Sequence, residues 1–228
     1  MQDYKRAIVI GSKQTYGKGT VQNVVDLNEW MRNSNMGDLG ALKLTSQKFY
    51  RVNGGSTQLE GVKSDIVMPD RYSYIDVGEK DYDNPMPYDK ISPANYKFWK
   101  SPINVEDAVA KSKKRMEQNE HLQLIDENAR WIKARRDEKS VSLNFKTYSE
   151  DIEKRKKETE KYEALDKYNN NLSFRSLPYE IELMKQDTTL TEKRDRWHKN
   201  LNKDIYVEEA VNVLQDIMKS DSKTAKRD

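Results

Sequence analysis

The chain has 228 residues, with 41 lysines and arginines against 38 aspartates and glutamates, so its formal net charge at pH 7 is only +3. This near balance argues against nucleic acid as a partner, because nucleic-acid-binding domains usually carry a clear excess of positive charge. The absence of cysteine excludes disulfides and thiolate metal sites. No stretch approaches the roughly 20 apolar residues of a membrane span, and we expect no metal or other cofactor.

The first 78 residues contain all nine glycines and predict a β-rich region. Its apolar stretches are rich in β-branched residues or alternate with polar ones, which is typical of strands. Asn53-Gly54-Gly55 predicts a tight hairpin turn, because glycine tolerates the positive φ that such turns need. A polar insertion near residues 28–40 has room for a short helix. The strands are predicted at about 7–11, 19–26, 41–52 and 57–68.

The remaining residues contain no glycine and are rich in charge, which is the composition of helices. Residues 105–139 predict one long helix or a helix pair interrupted near EQNEH. Residues 140–148 alternate apolar and polar side chains and predict a short strand. A charged helix is predicted over about 149–170, and an amphipathic helix capped by Asp204 over about 204–219.

These patterns predict an α+β fold in four segments. Residues 1–75 form the β-rich part, and residues 76–104, rich in proline, tyrosine and aspartate, form a linker. Residues 105–220 form a helical domain, and residues 221–228 form a disordered tail.

Residues 7–20, AIVIGSKQTYGKGT, place a lysine between two glycines after an apolar run, as a phosphate-binding loop does. The spacing differs from that loop, since five residues separate Gly11 from Gly17 where the Walker A pattern has four. Gly19 also occupies the position of the magnesium-binding hydroxyl, and TVQNVVDL predicts a strand where the loop requires a helix. We therefore expect no phosphate site here.

Two interpretations of Lys18 are open on these grounds. In the first it is a solvated lysine at the end of a strand, because most lysines are exposed. In the second, the ammonium loses hydration beside a buried strand and gives up its proton more readily. A neutral amine of this kind can activate a serine hydroxyl without a histidine.

Three blocks of the sequence closely resemble the C-terminal processing peptidases, also called tail-specific proteases. They occur in the family's order, and a weaker similarity continues through VSLN into the helical region of the larger members. The resemblance implies a small β-rich part of a serine protease core, followed by a mostly α-helical C-terminal domain. The blocks are MQDYKRAIVIG at 1–11, TYGKGTVQ at 15–22 and FYRVNGGSTQLEGVKSDI at 49–66.

The resemblance implies catalytic roles for three residues. Lys18 matches the general base of the family, and Gln22 matches the glutamine whose side-chain amide orients that lysine. Residues four apart in a strand face the same side, so these two can share one site. Asp3 matches an acid that is important in the larger members. It either takes part in the chemistry or holds the end of the helix that carries the nucleophile.

In the family the nucleophilic serine lies upstream of the position of Asp3, and a PDZ domain that binds the substrate tail precedes the protease core. No serine of this sequence matches the nucleophile's motif. We therefore expect the chain to be the C-terminal part of a protease and to be inactive alone. The resemblance further implies a serine endopeptidase of the Gram-negative periplasm that cleaves proteins with exposed, apolar C-terminal tails.

A second class of function is non-catalytic. The glycine-free residues 105–220 suit a helical interaction module with a large solvated surface. Such a module would dock on the protease body, on a second copy of the chain or on an adaptor protein, and the sequence leaves these alternatives open.

Overall fold

The computed structural model describes residues 1–30, 37–100 and 104–224, with side chains described up to residue 219. Short strands lie in the first third of the chain and helices follow, which confirms the predicted α+β class. Among the described residues, no helix is both long and apolar enough to cross a membrane. The elements are β1 (Ile10–Gly11), β2 (Thr20–Asp26), α1 (Leu27–Trp30), β3 (Ala41–Lys48), β4 (Ile66–Val67), α2 (Val105–Glu117), α3 (Glu120–Asp137), α4 (Phe145–Glu160), α5 (Pro178–Met184), α6 (Thr188–Leu201) and α7 (Ile205–Thr224), with 3₁₀ turns at Glu79–Asp81 and Lys161–Lys167.

The chain divides into two compact units, and neither is a continuous stretch of sequence. The predicted boundaries after residues 75, 104 and 220 stay predictions. Unit 1 comprises Met1–Val9, Lys13–Ser64 and Asp76–Lys100, and unit 2 comprises Ile10–Ser12, Asp65–Ile75 and Ser101–Asp228.

The main feature of unit 1 is an antiparallel ribbon formed by β2 and β3, which pair from Thr20 opposite Lys48 to Asp26 opposite Ala41. A register irregularity between Val21 and Gln22 interrupts the ladder. Apolar side chains on both strands stay largely exposed. A two-stranded ribbon with so little buried surface is only marginally stable alone, so its position depends on contacts at its ends.

The turn predicted at Asn53-Gly54-Gly55 is present. The N–H of Arg51 donates to the carbonyl of Gly55 at 2.8 Å, and the N–H of Gly54 donates back to the carbonyl of Arg51 at 2.9 Å. Gly54 has a φ of +84°, a conformation that glycine adopts without the steric cost of a Cβ.

The predicted strand at 57–68 is wrong over most of its length. Leu59 and Gly61 have φ values of 63° and 60°, and such left-handed residues interrupt the extended backbone of a strand. Only Ile66–Val67 form a strand, and they pair in parallel with Ile10–Gly11 within unit 2.

Residues 76–100 are bound along the β-rich part of unit 1 by backbone hydrogen bonds. The N–H of Glu79 donates to Tyr16, that of Ile91 to Gly54 and that of Ala94 to Val52, each at 2.9 Å. Asp89 adds an ion pair of 3.0 Å with Lys48 and accepts a hydrogen bond of 3.0 Å from the hydroxyl of Tyr50. This segment is therefore an ordered part of unit 1.

The helical elements of unit 2 begin and end largely where capping residues predict. Of the two alternatives for residues 105–139, one long helix or a helix pair, the structure has the pair, since α2 ends at Glu117 and Asn119 caps α3 by accepting from the N–H of Leu122 at 3.0 Å. Asp204 caps α7 as predicted, accepting from the N–H of Tyr206 at 2.8 Å. Arg115 on α2 reaches across to α7, where it pairs with Glu209 and Asp216.

The strand predicted at 140–148 is wrong, because α4 begins inside it at Phe145. Asn144 caps that helix by accepting from the N–H of Thr147 at 3.2 Å. Leu143 is fully exposed, and among the described residues no strand pairs with this stretch. At the other end of unit 2, α7 continues into the predicted tail as far as Thr224, and residues 225–228 lie outside the described residues.

Two glycine-to-alanine substitutions test the attachment of residues 76–100. A Cβ at Gly54 would lie 2.1 Å from the carbonyl oxygen of Ile91, so we expect Gly54→Ala to destabilise unit 1 by about 2–4 kcal/mol. Gly40 also has a positive φ, but its Cβ would meet no described atom within 4 Å. Gly40→Ala should therefore cost only about 1 kcal/mol of backbone strain.

Urea denaturation of the two variants measures this difference, and amide exchange at Ile91 shows whether the attached segment is released. Equal losses of stability in both variants would contradict the described contact.

Candidate functional site

A cleft of about 570 Å³ opens in unit 1 between the ribbon and the segment that follows the first 3₁₀ turn. Its volume lies within the range of small-ligand and substrate sites. Lys18 and Gln22, both predicted catalytic residues, lie on its surface, and the described lining residues include no serine. The lining residues are Tyr16, Lys18, Thr20, Gln22, Lys43, Thr45, Glu79, Tyr82, Asn84, Pro85, Met86 and Pro87.

The structure brings Lys18 and Gln22 into direct contact. The Nζ of Lys18 donates a hydrogen bond to the Oε1 of Gln22 at 2.5 Å. Lys18 is half-buried and precedes β2, while Gln22 follows the register irregularity of that strand. Such irregularities re-aim side chains locally. The amine is therefore held in one direction at the open surface of the cleft.

The backbone on both sides of Lys18 is bound to the segment Thr57–Leu59. The carbonyl of Gly17 accepts from the N–H of Leu59 at 2.7 Å, and the carbonyl of Lys18 accepts from the Oγ1 of Thr57 at 2.9 Å. The N–H of Gly19 donates to the Oε1 of Gln58 at 2.8 Å. Every residue of the Gly-Lys-Gly sequence is thus held by a partner some 40 residues away.

The two glycines are required by the closeness of this contact. Gly17 has a φ of +91°, and its Cβ would lie 3.0 Å from the carbonyl carbon of Leu59. A Cβ at Gly19 would lie 2.5 Å from the Oγ of Ser56 and 2.6 Å from the nitrogen of Gln58. The glycines therefore serve close backbone packing between this loop and residues 56–59.

Gln58 also contacts the opposite wall of the cleft. Its Nε2 donates to the carbonyl of Met86 at 2.9 Å and lies 3.4 Å from an oxygen of Glu79. Only 1% of the residue is exposed. A buried amide thus joins the lysine loop to the wall segment, in addition to the backbone bond between Glu79 and Tyr16.

Two tyrosines meet at one side of the cleft, where the hydroxyls of Tyr16 and Tyr82 are 2.9 Å apart. The hydrogen bond with Tyr82 raises the pKa of Tyr16 to about 12, with smaller effects from burial and from the charges of Glu79 and Asp81. The Tyr16 hydroxyl therefore stays protonated well above its ordinary range.

Asp3, the third predicted catalytic residue, lies in a different set of contacts. Arg51 binds its carboxylate with two hydrogen bonds, from Nε to Oδ2 at 2.8 Å and from Nη2 to Oδ1 at 2.5 Å. Asn53 donates to the same carboxylate at 3.1 Å. Within the described residues these contacts tie Asp3 to the turn after β3, whereas Lys18 is tied to Gln22.

Thr57 and Gln58 are site residues that the sequence analysis did not single out, because it explained this stretch by the hairpin alone. Threonine and glutamine are mostly exposed in proteins, so the sequence gives no reason to expect them to be buried here. The one available signal was their place in the STQ part of the family-like block. In the described ranges, no group of three or more histidine, aspartate or glutamate side chains is placed to hold a metal ion.

Comparison with known proteins covers nearly the whole chain. Residues 1–68 match peptidase family S41, and residues 72–219 match the family described as the C-terminal domain of tail specific protease. A tail-specific protease of Haemophilus influenzae is 41% identical over 150 residues, which are 64% of this chain and 21% of that protein. A carboxy-terminal-processing protease of Bartonella bacilliformis is 38% identical over 81 residues, which are 34% of this chain and 16% of that protein. The chain thus matches about a fifth or less of the length of these relatives.

The tyrosine pair gives a pH-dependent prediction. Because the folded state holds the Tyr16 proton more tightly than the unfolded state, the pair stabilises the fold below pH 10, and we expect this contribution to be lost as the pH rises from about 10 to about 12. Tyr82→Phe should return the Tyr16 titration towards pH 10 and remove the effect. Tyrosine ¹³Cζ NMR, assigned with Tyr16→Phe, measures it, with the exposed Tyr72→Phe as control. An unchanged Tyr16 titration in Tyr82→Phe would contradict the prediction.

Proposed function

The chain belongs to the tail-specific proteases, and from this premise we propose that it is the C-terminal part of a serine endopeptidase that uses a serine–lysine pair. The observation that carries the proposal is the amine of Lys18, oriented by Gln22 at the surface of an open cleft. The match to peptidase family S41 over residues 1–68 includes both residues. The nucleophilic serine is proposed to lie in the part of the intact enzyme that precedes Asp3.

Lys18 acts as general base in this proposal. The neutral amine takes the proton of the serine hydroxyl as its oxygen attacks the scissile carbonyl, and then returns a proton to the leaving amine. A neutral lysine amine has two N–H bonds and one lone pair. Because one N–H donates to the Oε1 of Gln22, rotation about the Cε–Nζ bond is restricted and the lone pair is confined to the two staggered positions that face away from Gln22. Gln22 is thereby an orienting residue.

For Asp3 we propose a positioning role instead of a chemical one. Its carboxylate is 15% exposed and fully engaged by the planar fork of Arg51, a geometry with high orientational specificity. In the intact enzyme this pair would fix the start of the chain to the β-rich part of unit 1. It would thereby fix the segment that leads in from the nucleophile.

The substrates proposed are proteins with exposed, apolar C-terminal tails, and the location proposed is the Gram-negative periplasm. The wall formed by Pro85, Met86 and Pro87 offers apolar surface beside the lysine, which supports an extended chain as the occupant.

A substitution pair in the intact protease tests the catalytic proposal. We expect Lys18→Ala to lower kcat/KM on an unstructured substrate by at least about 1,000-fold, because the general base is lost. Lys43 lines the same cleft, so Lys43→Ala is the matched control for the loss of one positive charge, and it should change kcat/KM by less than about threefold. Gln22→Met should lower kcat by about 10- to 100-fold.

The purified 228-residue chain should cleave nothing by itself. Full activity of the Lys18→Ala protease, or turnover by the isolated chain that Lys18→Ala abolishes, would overturn the corresponding part of the proposal.

A second, non-catalytic function is proposed for the helical part of unit 2. Four apolar side chains at and just before α5 are 44–63% exposed. They are Leu177, Tyr179, Ile181 and Leu183. Exposed apolar clusters of this kind are common at protein interfaces. We propose that they dock on the protease body, with self-association and adaptor binding as the alternatives.

Binding in trans separates this function from catalysis. The 228-residue chain should bind the remaining part of the protease, and Tyr179→Ser with Leu183→Ser should weaken that binding by at least about tenfold. Lys18→Ala should leave the affinity unchanged. Equal affinity of the doubly substituted chain would argue against docking through α5.

A further inference from the structure

Gln58 is the buried polar side chain that connects the two sides of the cleft. We propose that Gln58, assisted by Thr57, is a positioning residue that sets the lysine loop at a fixed distance from the opposite wall. This inference rests on the proposed role of Lys18 as general base. It adds two residues to the machinery of the reaction, although neither touches the reacting atoms.

The first step of the argument is that Gln58 and Thr57 fix the backbone of the lysine loop. The Oε1 of Gln58 accepts from the N–H of Gly19 at 2.8 Å, and the Oγ1 of Thr57 donates to the carbonyl of Lys18 at 2.9 Å. Both groups belong to the peptide unit between Lys18 and Gly19, so this peptide is held on both of its edges. With the backbone fixed, the lysine side chain starts from one point and needs only its contact with Gln22 to be fully directed.

The second step concerns the wall. The Nε2 of Gln58 donates to the carbonyl of Met86 at 2.9 Å, and Met86 lies between the two prolines that line the cleft. Proline has no N–H, so Pro85 and Pro87 cannot anchor this wall through backbone donors. The amide of Gln58 is therefore an anchor between the wall and the floor that carries Lys18.

The third step is energetic. Gln58 is 1% exposed, and its amide satisfies a backbone donor on one side and a backbone acceptor on the other. Removing it leaves the N–H of Gly19 and the carbonyl of Met86 without this partner, and buried unpaired groups of this kind are costly. The lysine loop can then move relative to the wall, and the amine of Lys18 loses its fixed place in the cleft.

The first experiment needs no activity and uses the 228-residue chain. Gln58→Met keeps the length and volume of the side chain but removes both strong hydrogen bonds. We expect amide exchange at Gly19, followed by NMR, to accelerate at least tenfold relative to Ile91, whose N–H is bonded to Gly54 elsewhere in unit 1. An unchanged ratio of the two exchange rates would overturn the proposal whatever the enzymology shows.

The second experiment uses the intact protease. Gln58→Met should lower kcat by about 10- to 100-fold with KM within about threefold. Each kcat is normalised to the fraction of folded enzyme, measured by circular dichroism, so that a loss of positioning is distinguished from a smaller amount of folded enzyme.

Thr57 supplies a matched pair of variants in case Gln58→Met does not fold. Thr57→Val removes the hydroxyl that donates to Lys18 while keeping the shape, and should lower kcat by about tenfold. Thr57→Ser keeps the hydroxyl and should retain kcat within about threefold. Equal activity of these two variants would overturn the role of Thr57.

The outcome for Lys18→Ala separates this inference from the proposed function. If Lys18→Ala abolishes cleavage while Gln58→Met keeps the normalised kcat, the positioning role is wrong and the base assignment stands. If Lys18→Ala leaves cleavage intact, the proposed function is wrong, and Gln58 then has no catalytic role through Lys18. The exchange rate at Gly19 then still decides whether the contact exists.

Discussion

The close approach between the backbone of Gly17–Gly19 and the segment Thr57–Leu59 is the constraint on which the candidate site depends. Two segments about 40 residues apart come so near that a single Cβ on Gly19 would lie within 2.6 Å of the nitrogen of Gln58. Glycine removes this clash and leaves the N–H and carbonyl groups free to bond across the contact. The backbone of the lysine between the glycines is thereby fixed, and the contact with Gln22 orients the end of its side chain.

The ribbon of β2 and β3 shows why this contact matters. Its apolar side chains are largely exposed on both strands, so burial contributes little to its position, and a two-stranded ribbon is marginal without other support. Polar contacts at the start of β2 and the end of β3 fix the position of the ribbon instead. Gln58 and Thr57 hold the start of β2, and Asp89 holds the end of β3 through Lys48. Positioning by buried hydrogen bonds is directional, which suits a site that must aim an amine.

The two family matches meet between residues 68 and 72, yet the compact units do not follow that boundary. Residues 76–100 belong to the matched C-terminal domain in sequence and to unit 1 in space. They supply Glu79, Tyr82 and the Pro85–Pro87 wall of the cleft that contains Lys18. In this chain, residues matched to the C-terminal domain thus contribute surface to the candidate site, which combines both matched regions.

Sequence alone determined the features that depend on near neighbours. The turn at Gly54 and the cap at Asp204 each involve residues at most four apart, so local spacing and side-chain chemistry suffice to predict them. The pairing of Lys18 with Gln22 was implied by the family resemblance, and their spacing of four along a strand only allowed it. Tertiary structure decided the rest. In the part of the chain that the structure describes, the stretches 57–65 and 140–144 form no strand despite their strand-like patterns, because Leu59 and Gly61 turn the backbone and Asn144 starts a helix. The bond of Gln58 to Met86 joins residues 28 positions apart, and the pairing of Asp3 with Arg51 joins residues 48 positions apart. Only the folded chain brings such partners together.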